Sequence, residues 1–177
     1  MVNASIVLYQ HSLSDIADLV NTLKCSPEIG HIFLIDNSAQ ATDEFQQLGV
    51  TYIFNGKNMG YGAAHNIALR RSIVTDTTYH LVVNPDIRFD AAILSRIVHF
   101  MDENSEIGQL MPKVFYPDGR IQYLCKLIPT PADLIFRRFL PEKWTVKQTA
   151  KFEMRNSGYN QITDVPYLSG CFMFLRV

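Results

Sequence analysis

The chain has 177 residues, 47% apolar and 19% charged, with 9 Gly and 8 Pro; this excludes a disordered or collagen-like chain and suits roughly one domain with its own core. Lys+Arg is 16 and Asp+Glu is 17, a formal charge of −1, so bulk charge gives no footprint for nucleic acid or a polybasic membrane surface. Cys25, Cys125 and Cys171 are distant and form no CxxC pair, which indicates neither zinc site nor disulfide framework and predicts a reducing, cytoplasmic compartment.

Ser5 to Tyr9 is a short apolar run fit for a buried strand. Ile16, Leu19, Val20 and Leu23 then recur at helical spacing, with Ser12 or Ser14 as N-cap candidates. His31 to Ile35 reads as a second strand, closed by Asp36-Asn37-Ser38. Residues 41–48 are weakly helical, and Val50 to Phe54 is a third strand. Gly62 to Ser72 is a helix, Tyr79 to Val83 a fourth strand closed by Asn84-Pro85-Asp86, and a helix capped at Asp90 follows. Ile107 to Met111 is a fifth strand. Apolar strands alternating with helices predict a mostly parallel sheet covered on both faces.

Beyond residue 111 the pattern changes. Pro117-Asp118-Gly119 predicts a hairpin, Pro129 and Pro131 a loop, and Ala132 to Leu140 a short amphipathic stretch. Residues 141–161 are polar and give no element. Val165 to Leu168 and Cys171 to Leu175 are strand-like. The sequence closes at Val177, directly after that last run, which reads as truncation rather than as a natural edge strand. There is no internal repeat and no linker long enough for a domain boundary. No signal peptide is evident, and no window reaches the ~20 apolar residues of a membrane span.

Ligands of open parallel sheets bind beyond the carboxyl ends of the strands. The polar groups predicted there are Gln10 and His11, Asp36 to Ser38, Asn55 to Gly60, and Asn84 to Asp86. Asp36 and Asp86 share that edge, where a carboxylate can accept from a base or ribose, or hold Mg²⁺ or Mn²⁺ on a diphosphate. Each segment also reads as an ordinary turn, and His65 and Asn66 as ordinary helix residues. Gly60-Tyr61-Gly62-Ala63-Ala64-His65 imitates a dinucleotide fingerprint, but histidine replaces the third glycine and the loop follows the third strand. No G-x-S-x-G elbow is present.

Five ordered segments resemble a known family: Ser5 to Tyr9, Phe33 to Ser38, Asn58-Met59-Gly60-Tyr61-Gly62-Ala63-Ala64-His65-Asn66, Leu81 to Asp86, and Val165-Pro166-Tyr167-Leu168-Ser169-Gly170-Cys171. Together they look like the N-terminal part of a family 2 glycosyltransferase, nearest the bacterial rhamnosyltransferase-like branch. The resemblance implies a Rossmann-like α/β GT-A fold in one domain over 1–177. About 1–111 would be the nucleotide-binding half, and about 112–177 the start of an incomplete acceptor-side half.

It further implies inverting transfer of a sugar from a UDP- or dTDP-sugar, dTDP-rhamnose among them, to a saccharide or lipid-linked acceptor in cell-surface polysaccharide synthesis. Tyr9 and His11 would lie against the nucleoside, and Asp36 would contact the base or ribose. Asn58, Gly60 and Asn66 would border the donor nucleotide, with Asn84 beside them. Asp86 would hold the Mg²⁺ or Mn²⁺, and Ser169 and Gly170 would line the sugar or acceptor pocket.

Two departures stand. The metal motif reads Asn84-Pro85-Asp86, one acid rather than two. The family's general base follows the Ser-Gly segment on a Glu-Asp motif not found in this sequence, so the resemblance implies a base beyond Val177 and assigns no catalytic residue within the chain. Asp164 and Glu153 do not match that motif and read as solvated surface acids. The expectation is nucleotide binding with little or no sugar transfer by this chain. The alternatives are a non-catalytic nucleotide-sugar-binding module, complete at Val177, and an NAD-binding Rossmann protein. The apolar stretch Leu127 to Leu140, with its Arg pair, suits either a peripheral membrane contact near the acceptor or core.

Overall fold

The computed structural model describes residues 1–129 and 142–177. They divide into two compact units, 1–110 with 170–177, and 111–169.

The first unit is built on six strands: β1 (Val2–Leu8), β2 (Ile29–Asp36), β3 (Thr51–Phe54), β4 (Tyr79–Val83), β5 (Gln109–Leu110) and, after two strands of the second unit, β8 (Phe172–Arg176). They form one sheet of order β3-β2-β1-β4-β8-β5. β1 to β4 are parallel, and β8 lies antiparallel between β4 and β5. Five strands therefore share one direction and the sheet is mostly parallel, as the alternating pattern predicts. The correction concerns β5. It is a two-residue edge strand that reaches the sheet only through β8, whose Phe172 and Phe174 are fully buried.

Three helices cover the sheet: α1 (Leu13–Lys24), α2 (Tyr61–Val74) and α3 (Ala92–Glu103). α1 buries Ile16, Leu19, Val20 and Leu23, the stripe legible in the sequence. Its first turn is held by Asp15, whose carboxylate accepts from both the N–H and the hydroxyl of Ser12. These bonds hold the Asp15 carboxyl below its ordinary range. Asp90 likewise accepts the Ala92 N–H at 2.9 Å to open α3.

Val2, Ala4, Ile6 and Leu8 point to one face of β1 and are wholly buried. Asn3, Ser5 and Val7 point to the other, under α2. Arg176 ties β8 to α3 through the carbonyls of Met101 and Asn104, and also reaches Tyr79, whose hydroxyl donates to Asp102. Because β8 runs against β4, its last residues lie at the amino end of that strand: Arg176 stands opposite Tyr79, and the Val177 N–H donates to the Thr78 carbonyl.

The second unit contains a turn at 116–119 with a bridge between Phe115 and Ile121, the hairpin predicted there. It also holds β6 (Cys125–Lys126) paired antiparallel with β7 (Tyr167–Leu168), and a helix α4 (Glu142–Phe152) in the polar stretch that gave no element from sequence. Tyr159 organises it: its hydroxyl accepts the Cys125 N–H and donates to the Glu153 carbonyl. Glu153 is not a solvated acid; its carboxylate is mostly buried and pairs with Arg155 at 2.6 Å. Asp164 is exposed, as expected. The amphipathic stretch Ala132 to Leu140 lies outside the described residues, and with it most of the proposed membrane-contact segment. Among the described residues no helix is long and apolar enough to cross a membrane.

Candidate functional site

The chain runs β1, β2, β3 outward, then crosses back to place β4 on the other side of β1. That reversal is a switch point, and doubly wound sheets take their ligands beyond the carboxyl ends of the strands that flank it, here β1 and β4. Asp36 ends β2 and Asp86 follows β4, with only β1 between. Two interstrand spacings separate the ends of β2 and β4 by about 10 Å along this edge.

The two acids differ in environment. Asp36 is 2% exposed, and both its carboxylate oxygens are engaged: Oδ1 accepts the Ser38 N–H at 2.8 Å and Oδ2 accepts the Tyr52 hydroxyl at 2.6 Å. Burial, then the bond to Asp36, pushes the Tyr52 phenol up to about 12. Asp86 is exposed and has no hydrogen bond or ion pair among the described residues. Its turn is fixed from below: Asn84 N–H donates to the Cys171 carbonyl, and the Arg88 guanidinium folds back onto the Pro85 and Ile87 carbonyls.

The β1 end is shaped by Gln10, a non-glycine at φ +59°, whose N–H donates to Ser38 Oγ at 2.8 Å. Non-glycine residues rarely hold this conformation, and functional edges are where it concentrates. Tyr9 is half exposed and its N–H donates to His11 Nδ1.

The β3–α2 loop is tied to β2 by asparagines. Asn55 donates to Asn37 Oδ1, Asn37 reaches the Gly60 carbonyl, and Asn58 Oδ1 accepts the Gly60 N–H. Gly60 opens α2 at φ +82°, ψ +162°, a region essentially reserved for glycine, and no side chain caps the helix. The first amides of α2 thus face the edge uncapped, an arrangement suited to anions. Asn66 is exposed one turn further on.

Gly170 belongs to this unit and Ser169 to the other. Tyr61 donates its hydroxyl to the Gly170 carbonyl, and a Cβ on Gly170 would stand 3.2 Å from the Tyr61 ring. The edge thus gathers Tyr9, His11, Asp36, Asn58, Gly60, Asn84, Asp86 and Gly170, with Asn66 on the helix behind it. Val177, beyond which the resemblance implies the general base, is not at this edge: it follows β8 at the amino end of β4, the far side of the sheet from Asp86. Sequence reading passed over Tyr52, Asn55 and Asn37 as positioning residues. The signal for Asn37 and Asn55 was a pair of asparagines directly behind two strands.

Beneath the edge lies a buried polar chain that the sequence did not announce. Ser5 Oγ lies 2.7 Å from His65 Nδ1 and 2.8 Å from His80 Nε2, and Ser72 Oγ lies 2.7 Å from His80 Nδ1. Asn3 donates to both Ser72 and Thr77. The donor in each of these three contacts is set by the tautomers of the two imidazoles. His65 Nε2 is a buried atom with no hydrogen-bond partner among the described residues, and its ring lies beneath that of Tyr61 at 4.4 Å between centroids. Desolvation lowers His65 to about 3 and His80 to about 4, so both stay neutral.

A divalent cation is the cofactor that the GT-A fold implies. No group of three or more His, Cys, Asp or Glu is assembled among the described residues. Asp86, exposed and unpaired, fits a hard cation held by one carboxylate together with phosphate oxygens.

No family model matches the chain, and no curated protein matches it in sequence. Solved structures do. A mannosyltransferase from Pyrobaculum calidifontis, in complex with GDP-Man and Mn²⁺, superposes with TM-score 0.53 at 15% identity, covering 66% of this chain and 36% of that one. S. aureus TarS in complex with UDP-GlcNAc gives 0.51 at 17%, covering 73% and 37%. A CMP:2-keto-3-deoxy-manno-octonic acid synthetase complexed with CTP gives 0.50 at 9%, covering 96% and 92%. At these identities the likeness establishes the fold alone, a GT-A-type α/β architecture with a mostly parallel sheet. The chain spans less than half the length of these glycosyltransferases.

Proposed function

We propose that the chain is the donor-nucleotide part of a glycosyltransferase, binding the nucleoside diphosphate of a nucleotide sugar at the carboxyl edge of β2, β1 and β4. The supporting observation is that one edge joins an unpaired acid, Asp86, an uncapped helix N-terminus and the two strand ends Tyr9 to His11 and Asp36 to Ser38.

In this reading Asp36, fixed by Tyr52 and Ser38, shapes the nucleoside pocket, and Tyr9 and His11 flank it. The first amides of α2 and the Asn58 loop border the phosphates, with Asn84 and Asn66 to either side. Asp86 would hold Mg²⁺ or Mn²⁺, whose charge would neutralise a diphosphate leaving group. The acceptor hydroxyl, of a saccharide or lipid-linked glycan, attacks the anomeric carbon in line with inversion. Ser169 and Gly170 line the sugar or acceptor side. The proton of the acceptor hydroxyl passes to a general base that the resemblance matches to no residue of this chain, as the nucleoside diphosphate leaves. The finer assignment, a UDP- or dTDP-sugar donor such as dTDP-rhamnose and the rhamnosyltransferase-like branch, rests on the sequence resemblance.

Calorimetry of the 177-residue chain with UDP, dTDP, GDP and NAD, each with Mn²⁺ or EDTA, tests this. The expected result is nucleoside diphosphate binding that weakens in EDTA; tighter binding of NAD overturns it. A second reading, nucleotidyl transfer from CTP, is favoured by the near-complete mutual coverage with the CTP-complexed synthetase. It predicts CTP above UDP in the same titration, with pyrophosphate released when an acidic sugar is added.

A further inference from the structure

A cavity of about 610 Å³ opens at the other end of the strands. It is bounded by the amino-terminal parts of β1, β2 and β3 and by the last turn of α2, and its wall reaches Phe33, three residues or about 10 Å short of Asp36 at the nucleotide edge. Its volume falls within the range of small-molecule sites, about 300–1,000 Å³.

The lining is one-signed. Arg70, Arg71 and His31 border the space and no Asp or Glu does. Among the described residues neither guanidinium makes an ion pair; Arg71 lies over the Phe33 ring at 6.0 Å, and His31 stacks on that ring at 5.7 Å. The C-terminal carbonyls of α2 would oppose an anion, but Thr75 Oγ1 donates to the Arg71 and Ser72 carbonyls and covers them.

The remaining wall is apolar. Phe33, 5% exposed, contributes only the margin of its ring, and Val74 stands 86% exposed at the mouth. A bare β-branched side chain beside two guanidinium groups gives a surface with both an apolar and an anionic preference. Inorganic phosphate would use only the cations and a neutral ring only the wall.

We infer that this amino-edge cavity binds a small organic anion, a carboxylate or phosphate on an aromatic or apolar body, with Arg70 and Arg71 taking the charge and Val74, with the margin of the Phe33 ring, taking the body. The site is independent of the nucleotide reading, because it shares no residue with the carboxyl edge.

The test is calorimetry of the 177-residue chain with phenyl phosphate, benzoate, inorganic phosphate and benzyl alcohol. Phenyl phosphate or benzoate binds, and benzyl alcohol and inorganic phosphate bind at least about tenfold more weakly, a difference of about 1.4 kcal/mol or more. Arg70→Gln, which removes no hydrogen bond or ion pair among the described residues, weakens phenyl phosphate several-fold at unchanged thermal stability. Arg70→Gln/Arg71→Gln weakens it at least about tenfold. Saturating UDP leaves the affinity unchanged. Equal binding of benzyl alcohol, undiminished binding by the double variant, displacement by UDP, or no aromatic anion bound at about 10 mM overturns the inference.

Discussion

Tyr52 donates its hydroxyl to Asp36 Oδ2 at 2.6 Å, closing one side of a buried carboxylate whose other oxygen is held by a backbone amide. Removing that hydroxyl leaves a buried charge short of a partner. Tyr52→Phe is expected to cost about 1–3 kcal/mol in urea unfolding at pH 7. The same substitution removes one phenol titrating near 12 from the alkaline absorbance curve. Unchanged stability would show that Asp36 does not need this bond.

His65 and His80 are buried neutral, with values lowered to about 3 and about 4. In the unfolded chain both return to about 6.5 and take up protons that the folded state refuses. Stability is therefore complete above about pH 6.5 and falls as pH drops toward 4. Each histidine contributes a loss of about 2 kcal/mol between pH 7 and pH 5. Urea midpoints measured across that range check it; a flat profile would refute the burial of neutral imidazoles.

Asp86→Ala removes an exposed side chain that makes no hydrogen bond or ion pair among the described residues. Its melting temperature should match the parent within the ±0.5 kcal/mol of a surface change. Nucleotide binding in Mn²⁺ should fall about tenfold, roughly 1.4 kcal/mol. A variant that binds UDP or dTDP equally well with and without EDTA, at parental affinity, takes Asp86 out of the site.

Gly60 and Gly62 offer a contrast within one helix start. No atom lies within 4 Å of a Cβ built on either, so sterics beyond the local backbone are equal. Only Gly60 sits at positive φ. Gly60→Ala should cost about 1–3 kcal/mol, whereas Gly62→Ala should be neutral or stabilise by up to about 1 kcal/mol. Equal effects in thermal unfolding would mean that the loop tolerates another entry into α2.

The strands and α1 were legible because burial on one or two faces leaves a periodic apolar trace: Ile16, Leu19, Val20 and Leu23 became the buried stripe of α1. The ligand edge was legible from turn residues behind strands. What stayed hidden were polar residues that pair across long sequence gaps. Asn3, Ser5, Ser72 and His80 look like interruptions of apolar runs, and only tertiary neighbours reveal that they satisfy one another. α4 was missed because its sequence is polar, without the stripe that marks a helix packed on a core. The antiparallel entry of β8, which carries Val177 away from the ligand edge, left no local mark, since strand direction is set by connection rather than composition.

β8 pairs with β4 although Arg176 and Tyr79 are 97 positions apart. During synthesis the four parallel strands emerge first, and β4 must wait with one backbone edge bare while the intervening residues are added. A bare edge is the feature through which nascent chains associate wrongly. Folding of this sheet should therefore be slow to commit, because β4 stays open until β8 reaches it.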